Sequence, residues 1–133
     1  MSMSDLVERL EAAGIPIDDL TKSAMIDIDP GHFTDYDLEV FWHDRPIPFL
    51  FTGFGATRTI SAPHMIATLL HHLEINEGQD IMLIGSKGGY LAAIIDRMVG
   101  EEGTVTIVEP HEEVRLHTCL LYTSDAADER SSV

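Results

Sequence analysis

The feature that most constrains the fold is a strand, a glycine-rich turn, a helix and a second strand in succession between residues 80 and 109. Asp80 to Ile84 is a short apolar run, and Tyr90 to Val99 carries apolar residues at helical spacing. Thr104 to Val108 is rich in β-branched residues, which is typical of a buried strand. Strands joined through a helix pair in parallel, so this segment predicts a βαβ unit of an α/β fold.

Gly85, Gly88 and Gly89 occupy the turn between the first strand and the helix. In doubly wound α/β folds this turn lies beside ligands, because glycine lets the backbone approach and the helix start presents N–H groups. Glu109 ends the second strand, where a carboxylate can accept hydrogen bonds from ribose hydroxyls. The turn matches neither the phosphate-binding loop nor the glycine pattern of nicotinamide cofactor sites. On spacing alone, a purely structural turn and a solvated strand-end acid remain open.

Two short helices are predicted near the N-terminus. Ser4 is a candidate N-cap for a helix from Asp5 to Ala13. A second helix begins at Asp18 or Asp19. Residues 31–57 concentrate aromatic rings among prolines and glycines, and we expect these rings to pack a loop against the core.

A longer amphipathic helix is predicted after Ser61, which can cap it, with Pro63 in its first turn and its end near Ile75. Five apolar residues recur at a spacing that predicts one shared helix face: Met65, Ile66, Leu69, Leu70 and Leu73.

Composition excludes several classes of function. The formal net charge of −15 and the absence of clustered basic residues argue against a nucleic-acid partner. No apolar run is long enough for a membrane span, and the N-terminus lacks the pattern of a signal peptide, so we expect a cytoplasmic protein without a membrane partner. With one cysteine, Cys119, no disulfide or cysteine-based zinc site is possible, and the histidines lack the spacing of a helical zinc site.

The last fifteen residues, 119–133, resemble a translated sequencing adapter and not a natural protein segment. We therefore expect a non-native tail from Cys119 onward and a natural protein that continues beyond this sequence. Sequencing the gene across codon 118 tests this, since an uninterrupted natural reading frame through Leu120 to Val133 would refute it.

The most specific motif is the string Thr59-Ile60-Ser61-Ala62-Pro63-His64-Met65. It resembles the Thr-Ile-Ser-x-Pro-His/Tyr-Met/Ile string of the protein-L-isoaspartate O-methyltransferase family. Asp44 to Pro48 and Met25 to Phe33 resemble two further stretches of that family, and the resemblance covers roughly residues 5–117. It implies a Rossmann-like class I S-adenosylmethionine-dependent methyltransferase fold, C-terminally truncated and with an N-terminal helical extension.

The resemblance implies methyl transfer from S-adenosyl-L-methionine to the carboxylate of L-isoaspartyl residues, so isoaspartyl peptides and proteins are the expected partners. Ser61 matches the active-site serine, and it can align the carboxylate together with N–H groups at the helix start. Without the resemblance, Ser61 reads as an N-cap and His64 as a surface histidine. The cofactor-binding residues that it implies are Thr59, Ile60, His64, Gly85, Ser86, Lys87, Gly88, Gly89 and Glu109.

Two positions depart from the family pattern. Leu83 stands where the family usually has an acid, and Lys87 stands at the middle glycine. Lys87 is expected either to reach the methionyl carboxylate or to point to solvent. A divergent, non-catalytic binding module is therefore an alternative to the enzyme.

The organisation implied is a helical and loop region on the substrate side (1–57), the start of the methyltransferase domain (58–118) and the tail (119–133). Because the later strands of the family fold are absent from this sequence, we expect the chain alone to be inactive.

Overall fold

The fold is seen in a computed structural model that describes residues 1–53, 55–123 and 131–132; the side chains of residue 87 and of the residues after 119 are not part of the description. In chain order the elements are α1 (Met3–Ala12), α2 (Asp19–Asp27), a 3-10 turn (Pro30–His32), α3 (Glu39–Trp42), β1 (Ile47–Phe51), β2 (Thr57–Ile60), α4 (Pro63–Leu73), β3 (Asp80–Ile84), a second 3-10 turn (Lys87–Gly89), α5 (Tyr90–Val99), β4 (Thr104–Val108), α6 (Glu112–Thr123) and β5 (Ser131–Ser132).

The predicted βαβ unit is confirmed. β3 and β4 pair in parallel from Asp80 opposite Thr104 to Ile84 opposite Val108, and α5 connects them. The short β5 lies on the other side of β4 and pairs with it in parallel. Because β5 and the end of α6 belong to the predicted tail, part of that segment adopts regular structure; residues 124–130 and 133 of the tail lie outside the described residues.

An antiparallel hairpin, β1 and β2, was not predicted. Ile47 lies opposite Ile60 and Phe51 opposite Thr57, with an irregular register between Pro48 and Leu50. The hairpin spans the predicted boundary between residues 57 and 58, so the boundary separates two sequence patterns and not two cores. One apolar cluster includes residues from both sides of it.

The helix starts differ in part from the predictions. α1 is capped by Ser2 and not by Ser4, because Asp5 completes a capping box: the Asp5 backbone N donates to Ser2 Oγ over 3.2 Å, and Ser2 N donates to the Asp5 carboxylate over 3.3 Å. α2 begins as expected, with Asp18 accepting a hydrogen bond from Thr21 N over 2.8 Å.

The predicted cap of α4 is wrong. Ala62, not Ser61, occupies the N-cap position and makes no side-chain cap. The predicted apolar face of α4 is also wider than the face that is buried. Ile66 and Leu70 are buried, whereas three residues about 100° further around the helix are exposed by 41–53%: Met65, Leu69 and Leu73.

The aromatic segment contributes to the core as expected, although it forms α3 and β1 and is not only a loop. Phe33, Phe41 and Phe49 are buried, and the Phe33 and Phe41 rings both contact Tyr90, with centroids 5.8 Å apart in each pair. Phe54 lies outside the described residues. Within the described part of the chain, no helix is long and apolar enough to cross a membrane.

Candidate functional site

A cavity of about 340 Å³ opens at the carboxyl ends of β3 and β4. Ligands of parallel α/β sheets bind at this edge, and the volume suits a small molecule. Three residues predicted to bind a cofactor, Thr59, Gly85 and Glu109, line it together. The complete lining is Phe49, Thr57, Arg58, Thr59, Ile84, Gly85, Glu109, Pro110 and Val114.

The three glycines of the turn have different surroundings. Gly85 has a φ of +90°, and a Cβ atom there would meet no heavy atom within 4 Å, so its backbone faces open space. Gly88 has a φ of +75°, and a Cβ atom there would lie 2.9 Å from the Phe49 ring. Gly89 is the N-cap residue of α5, with a φ of 97°. Both predicted roles of the turn therefore find support, because Gly85 is open to a ligand and Gly88 is required for packing.

Glu109 is held by three hydrogen bonds. Its Oε1 accepts from the backbone N of Ser86 over 2.8 Å and from Ser86 Oγ over 3.1 Å, and its Oε2 accepts from His111 N over 2.9 Å. Partial burial acts to raise the pKa of Glu109, but the hydrogen bonds from Ser86 and His111, with the nearby charge of Arg58, lower that pKa below its usual value. The carboxylate at the cavity is therefore ionised at neutral pH.

The hydrogen-bond network continues into α6. Ser86 and Thr118 are fully buried, and Thr118 Oγ1 donates to Ser86 Oγ over 2.8 Å. Thr118 Oγ1 also lies 2.9 Å from the Val114 carbonyl oxygen. The glycine turn, the end of β4 and α6 are thus joined through side chains whose polar atoms are paired. Ser86 lies behind the cavity wall and reaches the site through Glu109.

Ile60 and Ser61 line a different and smaller cavity, of about 70 Å³, between the start of α4 and the start of α5. Ser61 is half-buried, and its hydroxyl makes no hydrogen bond within the described part of the chain. The hydroxyl is therefore available to a ligand.

The N–H groups at the start of α4 are not available, contrary to our expectation. Pro63 has no N–H, His64 N donates to Asp44 Oδ1 over 2.7 Å, and Met65 N donates to the Ala62 carbonyl over 3.0 Å. The His64 ring is engaged as well, because Nδ1 lies 2.9 Å from Asp44 Oδ2. His64 lines neither of the two cavities described above.

Comparisons with known proteins decide the family. A sequence model of the protein-L-isoaspartate(D-aspartate) O-methyltransferase (PCMT) family matches residues 1–126. The chain belongs to the PCMT family. Curated relatives include the protein-L-isoaspartate O-methyltransferases of Methanosarcina mazei, 36% identical over 105 residues that cover 78% of this chain and 40% of the relative. The enzyme of Methanococcoides burtonii is 37% identical over 105 residues, or 78% of this chain and 48% of the relative.

Solved PCMT structures show the fold. One protein-L-isoaspartate O-methyltransferase superposes with a TM-score of 0.84 at 23% identity, over 98% of this chain and 40% of the other. A putative enzyme of this name from Plasmodium falciparum, in complex with S-adenosyl-L-homocysteine, superposes with a TM-score of 0.79 at 23% identity, over 99% of this chain and 62% of the other. The Rossmann-like methyltransferase fold is thus confirmed. The chain spans less than half the length of these curated relatives.

The two departures from the PCMT pattern can be located in part. Leu83 is half-buried in β3, opposite Ile107, and provides no hydrogen-bond acceptor where the family usually has an acid. Lys87 begins the second 3-10 turn, but its side chain lies outside the described atoms. The two orientations predicted for that side chain therefore stay predictions.

Sequence reasoning missed three residues of this candidate site. Arg58 lines the cavity and acts electrostatically on Glu109, and its place directly before Thr59 could have indicated it once β2 was recognised. Phe49 was treated only as a packing residue, yet it covers Gly88 and lines the cavity. Thr118 gives no sequence signal, because nothing local links it to the glycine turn. Among the described side chains, no group of three or more His, Cys, Asp or Glu could hold a metal ion.

Proposed function

We propose that this chain forms the cofactor-binding part of an S-adenosyl-L-methionine-dependent methyltransferase that methylates the carboxylate of L-isoaspartyl residues in damaged proteins. Membership of the PCMT family supports this function. The observation that carries it is the cavity at the ends of β3 and β4, where the open Gly85 backbone and the ionised Glu109 carboxylate face the same space. Isoaspartyl peptides and proteins are the partners that follow from this proposal.

The residues around the cavity fit a nucleoside that carries a ribose diol. A carboxylate offers about four acceptor positions, and Glu109 already uses three of them. As it stands, Glu109 can accept one ribose hydroxyl on Oε2. Accepting the second hydroxyl requires the Ser86 hydroxyl to rotate away from Oε1, whereas the backbone N–H of Ser86 can stay bonded. Ser86 would then take part in cofactor binding by releasing Glu109.

The chemistry asks little of the protein beyond alignment. When bound, S-adenosyl-L-methionine supplies a methyl group activated by a positively charged sulfur. A substrate carboxylate is already a nucleophile and needs no base, so the protein has to orient it and exclude water. We assign the orientation to the Ser61 hydroxyl, because it is unpaired within the described residues and the helix N–H groups next to it are engaged.

A non-catalytic binding module is the second candidate. Leu83 favours it, because an apolar side chain cannot accept a hydrogen bond from the methionyl ammonium. Both candidates place a ligand in the same cavity and differ in whether that ligand is the methyl donor.

Calorimetric titration of a protein of the relatives' full length with S-adenosyl-L-homocysteine distinguishes the two. We expect micromolar binding, weakened about tenfold or more by Glu109→Ala because a charge-assisted hydrogen bond to ribose is lost. Glu102→Ala is the matched control, since Glu102 is an exposed acid at the opposite end of β4. This variant should bind S-adenosyl-L-homocysteine with the affinity of the unsubstituted protein. No binding at millimolar ligand would overturn the methyltransferase proposal in favour of the module.

Methyl transfer is a property of the longer protein in this proposal. Transfer of a labelled methyl group to an isoaspartyl peptide should be measurable with a protein of the relatives' full length and absent with the present chain. Turnover by the present chain would contradict the assignment of the remaining sequence to the active site.

A further inference from the structure

Asp44 caps the end of α3 with its backbone. Asp44 N donates to the Phe41 carbonyl over 3.0 Å, and Arg45 N donates to the Val40 carbonyl over 3.1 Å. These two bonds form a Schellman motif, in which the residue at the position of Asp44 adopts the left-handed conformation. The φ of Asp44 is accordingly 62°. Glycine is the residue that this backbone geometry favours.

The Asp44 side chain at the same time holds the start of α4. Its Oδ1 accepts from His64 N over 2.7 Å, and its Oδ2 lies 2.9 Å from His64 Nδ1. The second N–H of a helix has no acceptor within that helix, so the carboxylate replaces the cap that Ala62 cannot provide. One residue thus joins the end of α3 to the start of α4.

An aspartate at a position that favours glycine indicates that its carboxylate is needed. We propose that Asp44 is a positioning residue that fixes the turn from Ser61 to His64, and so the direction of the Ser61 hydroxyl. Its importance for methyl transfer rests on the proposed function, in which Ser61 aligns the substrate carboxylate. Asp44 satisfies the His64 N–H at the helix start from outside the turn, and the Ser61 hydroxyl makes no hydrogen bond within the described residues.

The contact between Asp44 Oδ2 and His64 Nδ1 also selects the tautomer of the neutral His64 ring. A carboxylate only accepts hydrogen bonds, so the proton of the neutral imidazole lies on Nδ1. The neutral ring then presents Nε2 as a hydrogen-bond acceptor. Solvent alone would not impose this tautomer, which makes it a signature of the Asp44 contact.

Two substitutions of Asp44 distinguish the role of its backbone conformation from the role of its carboxylate. Asp44→Gly suits a φ of 62° and keeps the Schellman motif but removes both contacts to His64, so the variant is expected to fold. Asp44→Asn keeps one oxygen acceptor. Asp18→Gly and Asp18→Asn are controls, because the Asp18 carboxylate also accepts a hydrogen bond from a backbone N–H in the first turn of a helix, but its partner is Thr21 N of α2, over 2.8 Å.

The measurements are amide hydrogen exchange and nitrogen NMR of the imidazole, neither of which requires a ligand. In Asp44→Gly we expect the His64 amide to exchange about five- to tenfold faster, the Ser61 resonances to shift and the Nδ1–H tautomer to be lost. Asp44→Asn should give intermediate values. The Asp18 variants should accelerate Thr21 alone.

Unchanged His64 exchange and tautomer in Asp44→Gly would overturn the proposal, as would Ser61 resonances that do not move. These outcomes are independent of cofactor binding. Failure of the titration with S-adenosyl-L-homocysteine would therefore count against the proposed function and leave the role of Asp44 to be judged from the NMR data.

Discussion

Replacing Glu109 with glutamine tests whether the carboxylate at the cavity also stabilises the fold. The substitution keeps the shape of the side chain but leaves one oxygen for three donors: the backbone N and Oγ of Ser86 and the backbone N of His111. If the amide oxygen stays on the Ser86 side, the new NH₂ group faces the His111 N–H, and two donors oppose each other. The reverse orientation leaves both Ser86 donors without this acceptor.

The magnitude follows from the donors that lose their partner. An unpaired buried donor costs about 1–3 kcal/mol, and Ser86 is fully buried. The glutamine is therefore expected to keep its oxygen on the Ser86 side and to leave the N–H of half-buried His111 unpaired. Because water can partly reach that N–H, we expect Glu109→Gln to lower the free energy of unfolding by about 1 kcal/mol at neutral pH, the lower end of this range. Glu102→Gln removes the same charge from an exposed turn, and subtracting its effect corrects for the lower net charge of the variant.

The pH dependence gives the decisive measurement. The pKa of Glu109 is lowered in the folded state, so its ionisation contributes stability that is present above the unfolded value, usually 4.5, and lost as the pH falls through the folded value. Urea unfolding followed by circular dichroism, stepwise from about pH 7 towards about pH 3, should show the gap between the unchanged chain and Glu109→Gln closing below the unfolded pKa. A gap that stays constant over this range would refute the charge-assisted network.

Four further substitutions test backbone strain, helix capping and a surface ion pair by urea unfolding. Gly88→Ala should lower the free energy of unfolding by about 2–4 kcal/mol, because strain at positive φ adds to a clash with the Phe49 ring. Gly85→Ala adds only the strain and should lower it by about 1–2 kcal/mol. Equal losses would contradict the packing role of Gly88. Ser2→Ala should cost about 1 kcal/mol through the lost capping box, and no loss would restore Ser4 as the cap. Arg97→Ala breaks an ion pair whose side chains are 58% and 42% exposed and should change stability by less than about 0.5 kcal/mol; a larger loss would mean that Arg97 contributes more than a screened surface pair.

The elements with regular local patterns could be predicted from the sequence. The βαβ unit from Asp80 to Val108 combines helical spacing, β-branched residues and glycines, so each local preference agrees with the observed structure. The carboxyl edge of a parallel sheet then places Gly85 and Glu109 together without knowledge of any contact.

The hairpin could not be predicted, because its pattern is irregular. β1 is apolar at every position and contains Pro48, so it shows no alternation, and the register shift next to that proline breaks the pairing pattern. On α4 the apolar residues cover more of the circumference than the core contacts, and hydropathy alone does not distinguish buried Ile66 from exposed Met65.

Glu109 and Ser61 line different cavities, and the structure holds these two predicted site residues by different means. Glu109 is fixed directly through three hydrogen bonds, which suits its proposed role as an acceptor that recognises a cofactor in one geometry. Ser61 makes no such bond within the described chain, and the turn that carries it is held by Asp44 through His64. In the proposed function the Ser61 hydroxyl donates to an incoming carboxylate and so has to stay unpaired. It can be both free and oriented only if another residue fixes its backbone. The contacts of Asp44 with His64 and of Ser86 with Glu109 join residues that are distant in sequence, so no local pattern could have indicated them.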